Sequence, residues 1–183
     1  MRILGISGSL RRNSHNTRLL GATRGLLPAG VELEIFDQLA AIPPYNEDDE
    51  DEVPPAVAAL KAAIAAADAV LVATPEYNAS IPGVLKNALD WVSRPVASTP
   101  LRGKPAAVVG ASTGLFGAVW AQAETRKVLS TIGARVLDSE LPIAQAHEAL
   151  GQTGLPVEAE ALEVLSATLR DLIEMAERER VAA

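Results

Sequence analysis

The sequence has no cysteine and only six aromatic residues, two each of Phe, Tyr and Trp. Without thiols there is neither a disulfide nor a thiolate metal centre, which suits a reducing interior. The two histidines, His15 and His147, are too far apart to suggest a metal site or a Ser/His/Asp triad, so no metal is expected. No apolar run approaches the ~18 residues of a membrane span. One arginine and four apolar residues before polar Ser7 are too few for a secretion signal. The expectation is a soluble cytoplasmic protein.

Acid is also missing locally. From Met1 to Val31 there are five arginines (2, 11, 12, 18 and 24) and no carboxylate; Glu32 is the first. Yet the whole chain carries a net charge of −7, which argues against a nucleic-acid surface. A cationic start in an acidic chain points to an anionic ligand, since a positive cleft concentrates anions locally. Arg2 and Arg24 read instead as solvated surface charges. The acidic run Glu47–Glu52 has no metal-ligand spacing and reads as a solvated loop.

What is present is an alternation of apolar runs and helical patterns, in 183 residues that fit a single domain over 1–183. Strands are expected at 2–7, 31–36, 69–74, 105–111 and 134–138. The first, third and fourth are continuously apolar, as in parallel strands covered on both faces. In the second, Val31, Leu33 and Ile35 alternate with Glu32 and Glu34, which marks an edge. Helices are expected at about 15–27, 55–67, 81–93, 117–132 and 157–180, with Val84, Leu85, Ala88, Leu89 and Val92 forming one apolar stripe. The fold class is α/β, an open doubly wound sheet with helices on both faces.

Such sheets bind ligands beyond the carboxyl ends of their strands, where the strand order reverses. After strand one comes GSLRRNSHNT (8–17), after strand three PEYNAS (75–80), and after strand four STGLFG (112–117). All three are rich in glycine, hydroxyls and amides. The first leads into a helix, whose free N–H groups and dipole form a ready anion site. Ser9, Ser14 and Thr17 offer hydroxyls, Asn16 an amide and Arg11 a charged fork suited to phosphate. The same stretch also reads as a plain polar loop with Ser14 as helix cap.

The loop is neither GxxxxGK[ST] nor GxGxxG, so triphosphate and dinucleotide fingerprints both fail. A receiver domain would need acids where Ser7-Gly8 and Thr74-Pro75 stand. A monophosphate such as that of flavin mononucleotide (FMN) fits best. In the second loop, Tyr77 and Asn78 are candidates for contacts with a planar ring, while Glu76 fits less well unless only its backbone faces the ligand. Each reads equally well as a turn residue.

The run PEYNASIPGVLKNALDW (75–91), with GSLR (8–11), Ser14 and Asn16-Thr17, resembles the NADPH-dependent FMN reductase family, a group that includes quinone and chromate reductases. IPPYNEDDE (42–50) and LRGKPAAVVGAS (101–112) extend the similarity to about residue 140. The resemblance implies a flavodoxin-like five-stranded parallel sheet of order 2-1-3-4-5. It implies Ser9, Arg11, Ser14, Asn16 and Thr17 at the FMN phosphate. Pro75, Glu76, Tyr77, Asn78 and Ser80 would line the ribityl chain and ring, with Ser112 and Gly114 near its pyrimidine end. Leu115, Phe116 and Trp120 stand where many family members carry smaller or charged residues, which bears on acceptor choice.

The activity so implied is hydride transfer from NADPH or NADH to flavin and on to FMN, a quinone or a similar small-molecule acceptor, with no catalytic side chain required. A non-enzymatic flavodoxin-type electron carrier is the alternative. Arg12, Arg94 and Arg102 are candidate partners for the 2′-phosphate of NADPH. Trp91, on a helix whose other face is already apolar, points to a subunit contact and hence a homodimer or homotetramer.

Overall fold

The structure, a computed structural model, describes residues 1–182. Six helices and a parallel sheet alternate: β1 (Arg2–Ser7), α1 (His15–Thr23), β2 (Glu32–Phe36), α2 (Pro55–Ala66), β3 (Ala69–Thr74), α3 (Gly83–Val92), β4 (Pro105–Ala111), α4 (Val119–Ile132), β5 (Arg135–Val136), β6 (Pro142–Ile143), α5 (Ala146–Ala149) and α6 (Ala159–Ala182). The sheet order is β2-β1-β3-β4-β5, with β6 also paired to β4. This is the flavodoxin-like order, and the reversal falls between β1 and β3. Ile3 lies opposite Leu33 on one side and Ala69 on the other.

β3 and β4 are buried along their whole length, as continuous apolar runs require. Their alternate residues feed two cores. Leu4, Val70, Val72 and Val108 pack with Val57, Leu60, Leu85 and Leu89 under α2 and α3. Ile3, Leu71 and Val109 pack with Leu19, Leu20, Leu165 and Leu169 under α1 and α6. In β2, Leu33 is buried while Glu32 and Glu34 are exposed at the sheet's edge. None of the helices is long and apolar enough to cross a membrane among the described residues.

The fifth strand departs from expectation. Instead of one strand over 134–138, two short segments share the flank of β4: β5 opposite Pro105 and Ala106, β6 opposite Gly110 and Ala111. The buried Gln122 side chain fixes the second segment, donating to the Gly117 and Leu141 carbonyls and accepting the Leu141 N–H. A Cβ on Gly110 would meet that amide at 2.9 Å, so glycine makes room for it. α4 starts two residues later than expected, because Gly117 and Ala118 are left-handed (φ 58° and 62°).

Trp91 also needs correcting as a subunit contact. It is 1% exposed, its indole N–H donates to the Pro43 carbonyl at 2.9 Å, and the Tyr45 ring packs edge-on against it at 5.1 Å. The acidic run forms an exposed turn, except that Glu50 accepts the Tyr45 hydroxyl at 2.5 Å and lies 3.5 Å from Arg94 Nε.

Candidate functional site

The loops after β1, β3 and β4 meet at the carboxyl edge of the sheet around a cleft of about 260 Å³. Ser9, Arg11, Ser14, His15 and Asn16 line it from the first loop. Pro75, Glu76 and Tyr77 come from the second, and Ala111, Ser112, Thr113 and Gly114 from the third. Of the residues expected from sequence, Thr17, Asn78 and Ser80 lie outside this wall.

The first loop is built by its own side chains. Ser14 Oγ accepts the Thr17 N–H at 3.1 Å and so caps α1. Thr17 donates its hydroxyl to Ser7 Oγ at 2.8 Å. Asn16 is 2% exposed; its amide donates to the Ala111 carbonyl at 2.9 Å and accepts the Ala111 N–H at 3.0 Å, tying the loop to the end of β4. These three polar side chains thus shape the loop. Its free donors are the N–H groups of His15 and Asn16 in the first turn, which contains no acidic residue, and the Arg11 guanidinium. Arg11 is exposed and makes no ion pair among the described residues.

His15 is the first residue of α1 and lines the cleft. Its Nδ1 is buried with no partner among the described residues. Burial pushes its pKa below the ordinary value, and the nearby Arg18, Arg11 and His147 lower it further. A cluster of cationic and orphaned donors with no free carboxylate is chemistry that a phosphate monoester satisfies.

Glu76 is the single carboxylate on the cleft wall, and its side chain is already engaged. Its Oε2 accepts the Trp120 and Ala121 N–H groups at 3.0 and 3.1 Å, at the start of α4. One oxygen of that carboxylate is thereby committed to the start of α4. Tyr77 to Ser80 closes a tight turn through two reciprocal backbone bonds of 3.2 and 3.1 Å, with Asn78 and Ala79 both at positive φ. Ser80 donates to Glu124 at 2.5 Å, a partner with no signal in the sequence. In the third loop, Ser112 Oγ accepts the Gly114 N–H at 3.0 Å.

Exposed aromatic side chains stand on the second and third loops and in the first turn of α4. Tyr77, on the cleft wall, is 52% exposed, and Phe116 and Trp120, just beyond the Ser112–Gly114 stretch of that wall, are 60% and 44% exposed. Phe116 and Trp120 are in contact, with ring centroids 4.9 Å apart. Arg94 and Arg102, candidates for the 2′-phosphate of NADPH, do not line this cleft. Both line a separate cleft between the carboxyl ends of α3 and α4, and Arg102 donates to the Val96 carbonyl at 2.7 Å.

Residues 1–148 match the family described as NADPH-dependent FMN reductase. An NAD(P)H-dependent FMN reductase of Pseudomonas aeruginosa is 44% identical over 174 residues, 94% of this chain and 93% of that protein. A 2-hydroxy-1,4-benzoquinone reductase of a Burkholderia species is 43% identical over 128 residues, 70% of this chain and 69% of that protein. Among solved structures, FerB of Paracoccus denitrificans, a flavoenzyme NAD(P)H:(acceptor) oxidoreductase, superposes with a TM-score of 0.84 at 34% identity, covering 97% of both chains. On this fold, these loops and these relatives, the chain belongs to the NADPH-dependent FMN reductase family.

Proposed function

We propose that the chain is an FMN-dependent NAD(P)H oxidoreductase that reduces free FMN, a quinone or a similar small molecule. The observation that carries this is the anion-ready loop over β1: an unpaired Arg11, free N–H groups at α1 and no free carboxylate in the cleft. The cleft, at about 260 Å³, is below the ~300–1,000 Å³ of an enclosing ligand pocket, and suits a phosphate and its ester chain with the ring at the rim.

The chemistry supplied by bound FMN would be hydride acceptance from the nicotinamide and electron delivery to the acceptor. The chain's own residues bind and orient. Arg11, Ser9 and the first turn of α1 hold the phosphate, while Ser14, Asn16 and Thr17 keep those donors in place. Backbone groups of Pro75, Glu76 and Tyr77, with Ser112 and Gly114, line the path of the ribityl chain and ring. Tyr77, Phe116 and Trp120 exclude water from the exposed ring face, and no side-chain acid or nucleophile is needed. Arg12, exposed beside the cleft, remains the candidate for a 2′-phosphate.

The relatives named above are reductases, so the non-enzymatic carrier has no support among them. Purified protein should oxidise NADPH or NADH with turnover when FMN and a benzoquinone are supplied; flavin binding without turnover would restore the carrier reading. A cytoplasmic homodimer or homotetramer completes the proposal. The oligomer rests on the exposed Phe116–Trp120 pair, with light scattering after gel filtration as the check.

A further inference from the structure

The β3–α3 loop and the start of α4 grip each other through two carboxylates that cross in opposite directions. From the loop, Glu76 accepts the N–H groups of Trp120 and Ala121. From α4, one turn further along, Glu124 accepts the Ser80 hydroxyl at 2.5 Å and the Ile81 N–H at 3.3 Å. α4 is preceded by Ala118, left-handed and without a side-chain oxygen, so the Trp120 and Ala121 N–H groups have no local side-chain cap and Glu76 supplies one. Glu124 in turn fixes Ser80 and Ile81, the residues just before Pro82 and the start of α3.

Between the two anchor points lies the Tyr77–Ser80 turn, with Asn78 at φ 53° and Ala79 at φ 55°. Left-handed backbone at alanine is intrinsically unfavourable and persists where the surroundings over-determine it. The anchored loop supplies Pro75, Glu76 and Tyr77 to one wall of the cleft, and Trp120, whose own N–H is bound by Glu76, packs against Phe116.

We propose that Glu76 and Glu124 are positioning residues that lock the ring-side wall of the flavin cleft and the Phe116–Trp120 pair into one rigid unit. The inference rests on the FMN reading for its consequence in turnover, but the lock itself is a property of the free protein. In the intact enzyme it sets ring placement and acceptor placement together, and neither carboxylate touches the reacting atoms.

The test uses Glu76→Ala, Glu76→Gln and Glu124→Ala in the full chain. The two tryptophans separate cleanly, because Trp91 is buried and Trp120 is 44% exposed, so acrylamide quenching of the free protein reports Trp120. Glu76→Ala should raise that quenching about twofold, and Glu76→Gln, which keeps an acceptor oxygen, should recover most of the wild-type value. With flavin, Glu76→Ala should weaken FMN and riboflavin by the same factor, about tenfold, and raise the KM for a benzoquinone while kcat changes little.

Glu124→Ala should act in the same direction and stands in if Glu76→Ala does not fold. Unchanged quenching in folded variants, or a glutamine variant no better than alanine, overturns the inference whether or not flavin binds. Wild-type protein that binds no flavin, with the variants still showing the quenching change, would instead overturn the functional reading alone.

Discussion

Asn16 and Ala111, 95 positions apart in the chain, are joined by two hydrogen bonds: Nδ2 to the Ala111 carbonyl at 2.9 Å, and the Ala111 N–H to Oδ1 at 3.0 Å. One buried amide thus imitates a strand neighbour for the last residue of β4 and holds the first loop against it. Replacing Asn16 by Ala strands both backbone groups. The expected cost is about 2–4 kcal/mol, lowering Tm by roughly 10 °C. A Tm within about 2 °C of wild type in differential scanning calorimetry would contradict the bridge.

Arg11 should discriminate between the two ends of the ligand. Arg11→Ala is expected to weaken FMN about 10- to 100-fold and riboflavin hardly at all, because a charged hydrogen bond to phosphate is lost and nothing else. Flavin fluorescence titrations of both ligands provide the check. Equal losses for the two would move Arg11 off the phosphate.

His15 ties stability to pH. Its folded-state pKa lies below the ordinary 6.5, first through burial and then through Arg18, Arg11 and His147. As pH falls through about 6.5 the unfolded chain takes up this proton before the folded one, so stability drops, and the loss ends once folded His15 is protonated too. Urea titrations of the flavin-free protein between about pH 5 and 8 should show the wild type losing more stability on acidification than His15→Gln. Parallel profiles for the two proteins would remove the His15 imidazole from the account.

Gly117 is required by space as well as by conformation. A Cβ there would lie 2.4 Å from the Pro142 carbonyl carbon and 2.7 Å from the Ile143 nitrogen, at a φ of 58°. Both neighbours are backbone, so no side chain can swing aside. Gly117→Ala should cost about 3 kcal/mol or more and loosen the third loop. A urea midpoint near that of wild type, with an unchanged slope, would show that the β6 turn yields.

The parts of this fold that were legible in the sequence are those set by local pattern. The continuous runs of β1, β3 and β4 and the Glu32/Glu34 alternation of β2 carry the sheet, and the polar ends of those runs carry the site. What escaped depends on partners distant in the chain. Trp91 lies off the helical stripe of Leu85, Ala88, Leu89 and Val92 and reads as surface, until Pro43 and Tyr45 close over it. Asn16 and Thr17 read as free donors because Ala111 and Ser7 already occupy them only in three dimensions. The Glu76 side chain has a use because α4, 44 residues later, starts without a cap of its own. The fifth strand splits because Gln122 satisfies Leu141, a competition between side chain and ladder that no periodicity records.

That split has a consequence for how copies of the chain meet. Beside β4, the sheet ends in two fragments of two residues each rather than in a full-length ladder. Such a broken margin presents no continuous row of peptide groups on which a foreign strand could template, which guards against amyloid-like stacking. Self-association on that flank is therefore left to side-chain surfaces, which can be tuned or abolished without touching the sheet.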